Sequence, residues 1–283
     1  MIVTRFAPSP TGYLHLGHAF AAITAHDIAK RHGGRFLLRI EDIDRTRCRL
    51  EFVHAIYEDL AWLGLQWEPL MLVQSERFDA YRAALRQLDS QGLLYPCFCT
   101  RAEIAAEIAR SAEAPHGPEG PLYPVTCRTL SNDERQGRIE SGALYALRLD
   151  VRKATEIAGS LQFEERGSGP NGELGNIAVN PSLFGDIVLA RKDAPASYHL
   201  AVVVDDAFQG ITLVTRGHDL FAATDMQRLL QHLLNLSAPA YAHHHLILDE
   251  HGRKFSKRDR AVTLRDLRAS GVVPENIRTQ IGL

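Results

Sequence analysis

"IVTRFAPSPTGYLHLGHAFAAITAHDIAKRHGGRFLLRIED", residues 2–42, decides the fold. "IVTRFA" (2–7) reads as a short buried strand, and a turn rich in proline and glycine follows it. From Gly17 to His32, Phe20, Ile23 and Ile28 recur among alanines at helical spacing, and Gly33-Gly34 stops the helix. "RFLLRIED" (35–42) is a second strand. Strand, helix and strand in about 40 residues make a βαβ unit, which predicts a parallel sheet. At the strand-to-helix turn stands "HLGH" (15–18). A helix N-terminus leaves free backbone N–H groups aimed at one spot and adds partial positive charge there. His15 and His18 are three apart, so both lie on one side of the first turn, and Gly17 lets a ligand approach the backbone. This is chemistry for a phosphate, with imidazoles as extra donors. Helix capping alone is the plainer use of one histidine; two histidines around a glycine favour the phosphate.

Outward from this unit, helices are predicted around Phe52, Ile56, Leu60 and Leu63, ending at Gly64, and from an N-cap at Ser75 through Phe78, Tyr81, Leu85 and Leu88. The texture changes between about 95 and 185. Cysteines gather there, with the loops "EAPHGPEGPLYP" and "RGSGPNGELGN". Four segments are expected: 1–94 and 186–250 as two halves of one α/β domain, 95–185 as an inserted subdomain, and 251–283 as a loop and C-terminal helix. "DIVLAR", "LAVVVDD", "ITLVTR" and "HHHLILD" (243–249) read as strands, and "DLFAATDMQRLLQHLLNL" (219–236) as a helix.

Of the 283 residues, 45% are hydrophobic and 23% charged, with a net charge of −2, which is ordinary for a globular protein and not that of a globally basic nucleic-acid binder. No apolar run reaches the roughly 18 residues of a membrane span, and the N-terminus lacks the pattern of a secretory signal. A cytoplasmic monomer with no membrane partner is expected. Four cysteines in such a chain, Cys48, Cys97, Cys99 and Cys127, point to metal or catalysis more than to disulfides.

"KFSKR", Lys254–Arg258, follows the last strand. Lys254 and Lys257 flank Ser256, and two ammonium groups on a loop can neutralise a polyphosphate as charge builds in a transition state. With "HLGH" it follows strand C-termini, where parallel sheets bind ligands.

"HLGH" resembles the HIGH motif of class I aminoacyl-tRNA synthetases, and "KFSKR" resembles their KMSKS loop. "RFAPSPTGYLHLGHA", "LLRIEDIDRTR", "YHLAVVVDD" and "TRGHDL" are similar to the glutamyl branch, in order along almost the whole chain. Phe255 stands where methionine is usual and Arg258 where the final serine is; Lys257 is present. The resemblance implies an α/β fold, a Rossmann-like parallel sheet with an inserted zinc-bearing subdomain. It implies activation of L-glutamate by ATP with Mg²⁺, through in-line attack on the α-phosphate. His15, Gly17, His18 and Lys257 would then hold ATP, with His15, His18, Lys254 and Lys257 serving the catalysis.

Glutamate carries two carboxylates and one ammonium, so its pocket wants cations, an anion and neutral hydrogen bonders. Arg5 ends the first strand, before Ala7-Pro8-Ser9; Glu41 ends the second; Arg216 ends "ITLVTR"; Tyr198 opens "YHLAVVV". By the resemblance Arg5, Phe6, Ala7, Pro8, Ser9, Glu41, Tyr198 and Arg216 bind glutamate, the arginines on carboxylates and Glu41 on the α-ammonium. Cys97, Cys99, Tyr123 and Cys127 resemble a C-x-C…Y-x₃-C zinc site of this branch, with His116 as an alternative to Tyr123 and a metal-free site as another. Cys48 reads as an ordinary thiol and "HHH" (243–245) as structural.

The chain ends 25 residues after Arg258, with room for one helix, "TLRDLRASG", and not for a helical anticodon reader. That resembles the glutamyl-queuosine tRNA(Asp) synthetase family. Its members esterify glutamate to the cyclopentenediol of queuosine in tRNA(Asp). A minimal enzyme charging the tRNA 3′ end, and a catalytically silent tRNA- or nucleotide-binding module, are the other two readings. Arg45, Arg47, Arg49, Arg258, Arg260, Arg265 and Arg268 are candidates for tRNA phosphates.

Overall fold

The computed structural model describes residues 1–110, 116–248 and 262–283. Lys254, Lys257, Arg258 and Arg260, and with them the KMSKS-like loop, lie outside the described residues.

Strand β1 (Val3–Phe6) is buried along its length and pairs in parallel with β2 (Arg35–Ile40). Helix α1 (Leu16–Arg31) makes the crossover, burying Phe20 and Ile23 together with alanines that let it sit close to the strands. After α2 (Leu50–Trp62), β3 (Leu72–Val73) extends the sheet in parallel beside β2. Helix α3 (Phe78–Ser90) leads to β4 (Leu94–Cys97), α4 (Arg101–Arg110) and a small hairpin, β5 (His116–Gly117) with β6 (Gly120–Pro121). Next come α5 (Asn132–Glu140), β7 (Ala146–Leu149), α6 (Val151–Ala158), β8 (Gln162–Glu165), β9 (Gly175–Ala178) and β10 (Val188–Ala190). The chain returns through α7 (Tyr198–Phe208), β11 (Leu213–Gly217), α8 (Ala223–Leu233) and β12 (Ala240–His244), then α9 (Leu264–Ala269) and α10 (Pro274–Gln280).

Strands β11, β12 and β8 run parallel, and β9 closes that sheet antiparallel to β8. This sheet meets the first along β1, where the Thr212 N–H donates to the Val3 carbonyl at 3.0 Å and the Val3 N–H to Thr212 Oγ1 at 2.9 Å. Strands β4, β7 and β10 form a separate antiparallel sheet. Sheet pairing therefore crosses the expected segment limits: β8 and β9, inside 95–185, belong to the parallel sheet, and β10, beyond 185, belongs to the antiparallel one.

Four local expectations are corrected. "LAVVVDD" is not a strand but the heart of α7. The valine run favours a strand by propensity, yet Leu200, Ala201, Val202 and Val203 are buried together against α3 and α8, and such all-round burial removes the periodicity that would have distinguished the two. The polar anchor is Asp205, which accepts from Gln74 Nε2 (2.9 Å), Arg77 Nε (2.7 Å) and the Tyr81 hydroxyl (2.7 Å). Tyr198 thus opens a helix, not a strand. Ser75 lies in a 3-10 turn, its N–H bonded to Asp42 Oδ1 at 2.8 Å, and the N-cap of α3 is Arg77. The strand placed at 243–249 runs from Ala240 to His244, in register with β11 from Leu213 to Gly217. The C-terminal part holds two short helices instead of one, and Leu264, Ile277 and Ile281 join the core beneath α1 and α2.

Candidate active site

The C-terminal ends of β1, β2, β11 and β12 and the start of α1 surround a cleft of about 380 Å³. Arg5, Phe6, Ala7, Pro8 and Ser9, Glu41, Tyr198 and Arg216 all line it, as do His15, Gly17 and His18. The positions expected for glutamate and three of those expected for ATP (His15, Gly17 and His18), drawn from five separate segments, thus share one cavity; Lys257 lies outside the described residues. The Glu41 N–H donates to the Pro8 carbonyl at 3.0 Å, which ties the end of β2 to the turn after β1.

At the helix end, the His15 N–H donates to His18 Nδ1 at 3.2 Å. Neutral His18 therefore carries its proton on Nε2. The two rings lie 3.8 Å apart between centroids. Capping and ligand binding are thus not exclusive for His18. A Cβ on residue 17 would sit 3.2 Å from the His15 ring, which only glycine leaves uncrowded. The first turn of α1 has no acidic residue to neutralise its dipole.

Deeper in, the charges interlock. Arg5 grips Asp206 through Nε–Oδ1 (2.9 Å) and Nη2–Oδ2 (3.3 Å). Arg39, wholly buried, reaches Asp206 Oδ1 (2.7 Å), Glu41 Oε1 (3.3 Å) and Gln209 Oε1 (3.0 Å). Arg216 instead donates to three neutral acceptors: His243 Nε2 (3.0 Å), Gln227 Oε1 (2.6 Å) and Thr224 Oγ1 (2.6 Å). Three guanidiniums (Arg5, Arg39, Arg216) and three carboxylates (Glu41, Asp206 and the cleft-lining Asp219) stand about the cleft, so the bare count is balanced; what distinguishes Arg216 is that its partners among the described residues are neutral, which leaves its charge for a substrate carboxylate. Burial pushes the Glu41 carboxyl above its usual range against the pull of Arg39 and Arg5. Burial works the same way on Asp206, but Arg39 and Arg5 hold it below its usual value.

Sequence reasoning missed Arg39, Asp206 and Thr215. Thr215 lines the cleft, and its buried Oγ1 has no partner among the described residues. A signal for Arg39 existed: a charge inside the apolar run "RFLLRI" must be paired if the run is buried.

The cysteines meet about the end of β4. Cys97, Cys99 and Cys127 hold their sulfurs within 4.8 Å of one another. The Tyr123 hydroxyl lies 3.4 Å from Cys97 Sγ and 3.8 Å from Cys99 Sγ, and the Cys127 N–H donates to it at 2.9 Å. Zinc–thiolate bonds of about 2.3 Å put tetrahedral ligands ~3.8 Å apart, so this donor set fits a zinc ion. His116, on the exposed hairpin strand β5, is not in the cluster. Cys48 is not part of this cluster.

No helix among the described residues is long and apolar enough to cross a membrane. The whole chain, residues 1–283, matches the catalytic domain of class I tRNA synthetases (E and Q). It is 48% identical to a glutamyl-Q tRNA(Asp) synthetase of Rhodobacter capsulatus over 100% of both chains. It is 44% identical to one of Symbiobacterium thermophilum, covering 98% of this chain and 84% of that one. Among solved structures, a glutamate tRNA ligase from Elizabethkingia meningosepticum in complex with its amino acid matches with a TM-score of 0.73 and 29% identity. That match covers 91% of this chain, which spans about half (52%) of the ligase. The chain is an enzyme of the class I tRNA synthetase family of the E and Q type, in the company of relatives named glutamyl-Q tRNA(Asp) synthetase.

Proposed function

We propose that the protein activates L-glutamate with ATP and transfers it to the cyclopentenediol of queuosine at the wobble position of tRNA(Asp). One observation carries the glutamate reading. A cleft with a guanidinium that has only neutral partners among the described residues, a buried carboxylate and a helix N-terminus is complementary to an amino acid with two carboxylates and one ammonium beside a nucleotide phosphate. In this reading Arg5 and Arg216 attract the two carboxylates and Glu41 takes the α-ammonium. Tyr198 and the turn Phe6–Ser9 shape the wall. His15, His18 and the N–H groups near Gly17 hold ATP phosphate, accompanied by Mg²⁺. Lys254 and Lys257 retain the role that the motif implies for them.

The α-carboxylate oxygen bonds to the α-phosphorus as pyrophosphate leaves. A diol hydroxyl then attacks the adenylate carbonyl, forming an ester with release of AMP and a proton. The protein supplies position and charge, not a nucleophile. A neighbouring cleft of about 290 Å³ shares Ser9, Glu41 and Tyr198 with the first and is lined by Asp44, Arg47 and Arg191. It gives an acceptor a polar approach to the same carboxylate. The queuosine acceptor itself is supported by the names of the full-length relatives. Cys97, Cys99, Tyr123 and Cys127 would hold a zinc ion that cross-links the end of β4 to the turn at Thr126–Arg128.

The test is glutamylation of tRNA(Asp) with and without queuosine, read with and without periodate, which cleaves a free cis-diol. Glutamate transfer only to the queuosine-bearing tRNA, abolished by prior periodate treatment, is expected. Esterification of the 3′ adenosine of unmodified tRNA(Glu) would establish the charging enzyme instead.

A further inference from the structure

Behind Arg216 lies a buried relay that neither the motifs nor the family match explains. Glu165 and His243 are both closed to water, with Glu165 Oε2 2.5 Å from His243 Nδ1. Glu165 Oε1 accepts the N–H groups of His243 (2.9 Å) and Gly167 (2.8 Å). A Cβ on Gly167 would stand 2.4 Å from the His243 carbonyl oxygen, so only glycine admits this approach. The His243 ring is stacked on Tyr241 (5.9 Å, 8°) and meets Phe221 edge-on (4.9 Å). Its Nε2 faces Arg216 Nε at 3.0 Å.

The proton positions follow. A guanidinium only donates, so His243 Nε2 must accept and the ring proton must sit on Nδ1, where the Glu165 carboxylate receives it. Burial keeps the imidazole neutral, opposing the pull of Glu165. The imidazole thereby stands between Arg216 and the nearest carboxylate behind it. Arg5 and Arg39 touch Asp206 directly; Arg216, among the described residues, touches no carboxylate. Three of its five N–H groups are satisfied by neutral acceptors, and two have no acceptor among the described residues.

We propose that Glu165 and His243 are positioning residues for substrate recognition: Glu165 locks the His243 tautomer, and His243 aims Arg216 while leaving its charge for a carboxylate of the amino-acid substrate. This rests on the reading of Arg216 as a glutamate contact.

Glu165→Gln separates this relay from ordinary core packing. An amide cannot offer oxygen both to the two backbone N–H groups and to Nδ1–H. Turned one way, its NH₂ faces Nδ1 and drives the proton to Nε2, against Arg216 Nε–H. Turned the other way, it meets the backbone donors. The measurements are the ¹⁵N shifts of His243 in substrate-free protein and glutamate-dependent ATP–pyrophosphate exchange. Wild type should show Nδ1–H, and Glu165→Gln should show Nε2–H. Glutamate KM should rise about 10-fold or more, with kcat and the ATP KM little changed. His243→Gln, whose amide oxygen replaces Nε2 as acceptor, should stay near wild type, and His243→Leu should match the loss. In the double variant Glu165→Gln with His243→Gln, no tautomer remains to be flipped, so the added effect of Glu165→Gln should vanish. If Glu165→Gln does not fold, the His243→Gln and His243→Leu pair decides. A raised glutamate KM in Arg216→Ala with an unmoved one in Glu165→Gln overturns the relay alone. An unmoved KM in Arg216→Ala overturns the reading of Arg216 and the relay's purpose with it.

Discussion

Arg5 is closed onto Asp206, its Nε 2.9 Å from Oδ1 and both side chains almost wholly shielded from water. Arg39 shares the same oxygen at 2.7 Å. A residue expected to wait for substrate is therefore also part of a buried ion network spanning β1, β2 and α7. Removing one partner of such a network leaves an uncompensated charge in a low-dielectric interior. Asp206→Ala should cost about 3–5 kcal/mol of folding stability, measured by urea unfolding. A change within about 0.5 kcal/mol, typical of surface sites, would mean that the pair is not shielded as described.

The same network makes Arg5 and Arg216 unequal. Arg5→Ala should lose stability as well as glutamate use, because Asp206 then keeps, among the described residues, only Arg39 as a cationic partner. Arg216→Ala releases neutral partners, so its loss should fall mainly on glutamate, weakening its use by about 2–5 kcal/mol. Unfolding midpoints beside exchange kinetics for both variants separate the two. Equal stability losses would contradict the asymmetry.

How far the sequence announced this site depends on the residue. The cleft's rim was legible because motif residues in turns and at strand ends carry it: "HLGH", Arg5, Glu41 and Arg216 stand where the βαβ pattern breaks. Its foundation was hidden inside apolar runs. Arg39 lies within "RFLLRI", and Asp206 ends a valine run that reads as a strand and folds as a helix. His243, within "HHH", reads as a structural residue; its pairing with Glu165 joins strands β12 and β8, far apart in sequence, and no local pattern encodes that neighbour. The sheet to which β8 and β10 belong was equally illegible, because long-range pairing, not composition, decides it.

Glu41 makes glutamate binding depend on pH. Burial raises its carboxyl above the usual range in the free protein. An arriving ammonium favours the ionised form and lowers that value in the complex. Binding therefore releases a proton wherever free Glu41 is protonated. Affinity should climb as pH rises through the free-protein value and level off above it. Glutamate KM against pH should show this rise, and Glu41→Gln should flatten it. A wild-type profile with the same shape as that of Glu41→Gln would remove Glu41 from contact with the ammonium.

Asp59 predicts a pH effect on stability with the opposite sign to an ordinary ion pair. It is fully buried on α2, with no hydrogen bond to either carboxyl oxygen among the described residues and Arg268 of α9 3.6 Å away. Burial pushes it up to about 6, with Arg268 opposing. The folded state thus holds a proton that the unfolded state has already lost. Stability should fall as pH rises from about 4 to 6 and stay lower above that, by ~3 kcal/mol for two pH units. Asp59→Asn should remove this decline. Urea midpoints that match between the two proteins at pH 5 and pH 7.5 would exclude it.

The last prediction concerns tRNA, whose phosphates must find arginines that are not already engaged. Arg47 pairs with Asp44 (2.9 Å), Arg49 with Glu51 (3.5 Å) and Arg268 with Glu58 (2.9 Å). A phosphate gains less from these, because it must displace an existing carboxylate. Arg45 is exposed, its guanidinium 5.4 Å from the Phe78 ring centre, and Arg265 donates to the Tyr13 hydroxyl at 2.6 Å while lying over that ring. An aromatic face orients a guanidinium without neutralising it. Arg45→Ala and Arg265→Ala should therefore weaken tRNA binding more than Arg49→Ala. Each should also reduce the slope of log affinity against log salt by roughly 0.7–0.9, the loss of one phosphate contact. The measurement is a salt titration of tRNA binding for the three variants at one pH. If Arg49→Ala costs as much as Arg45→Ala with the same change of slope, ion pairing on this surface does not select the contacts, and the tRNA path must be sought along other arginines.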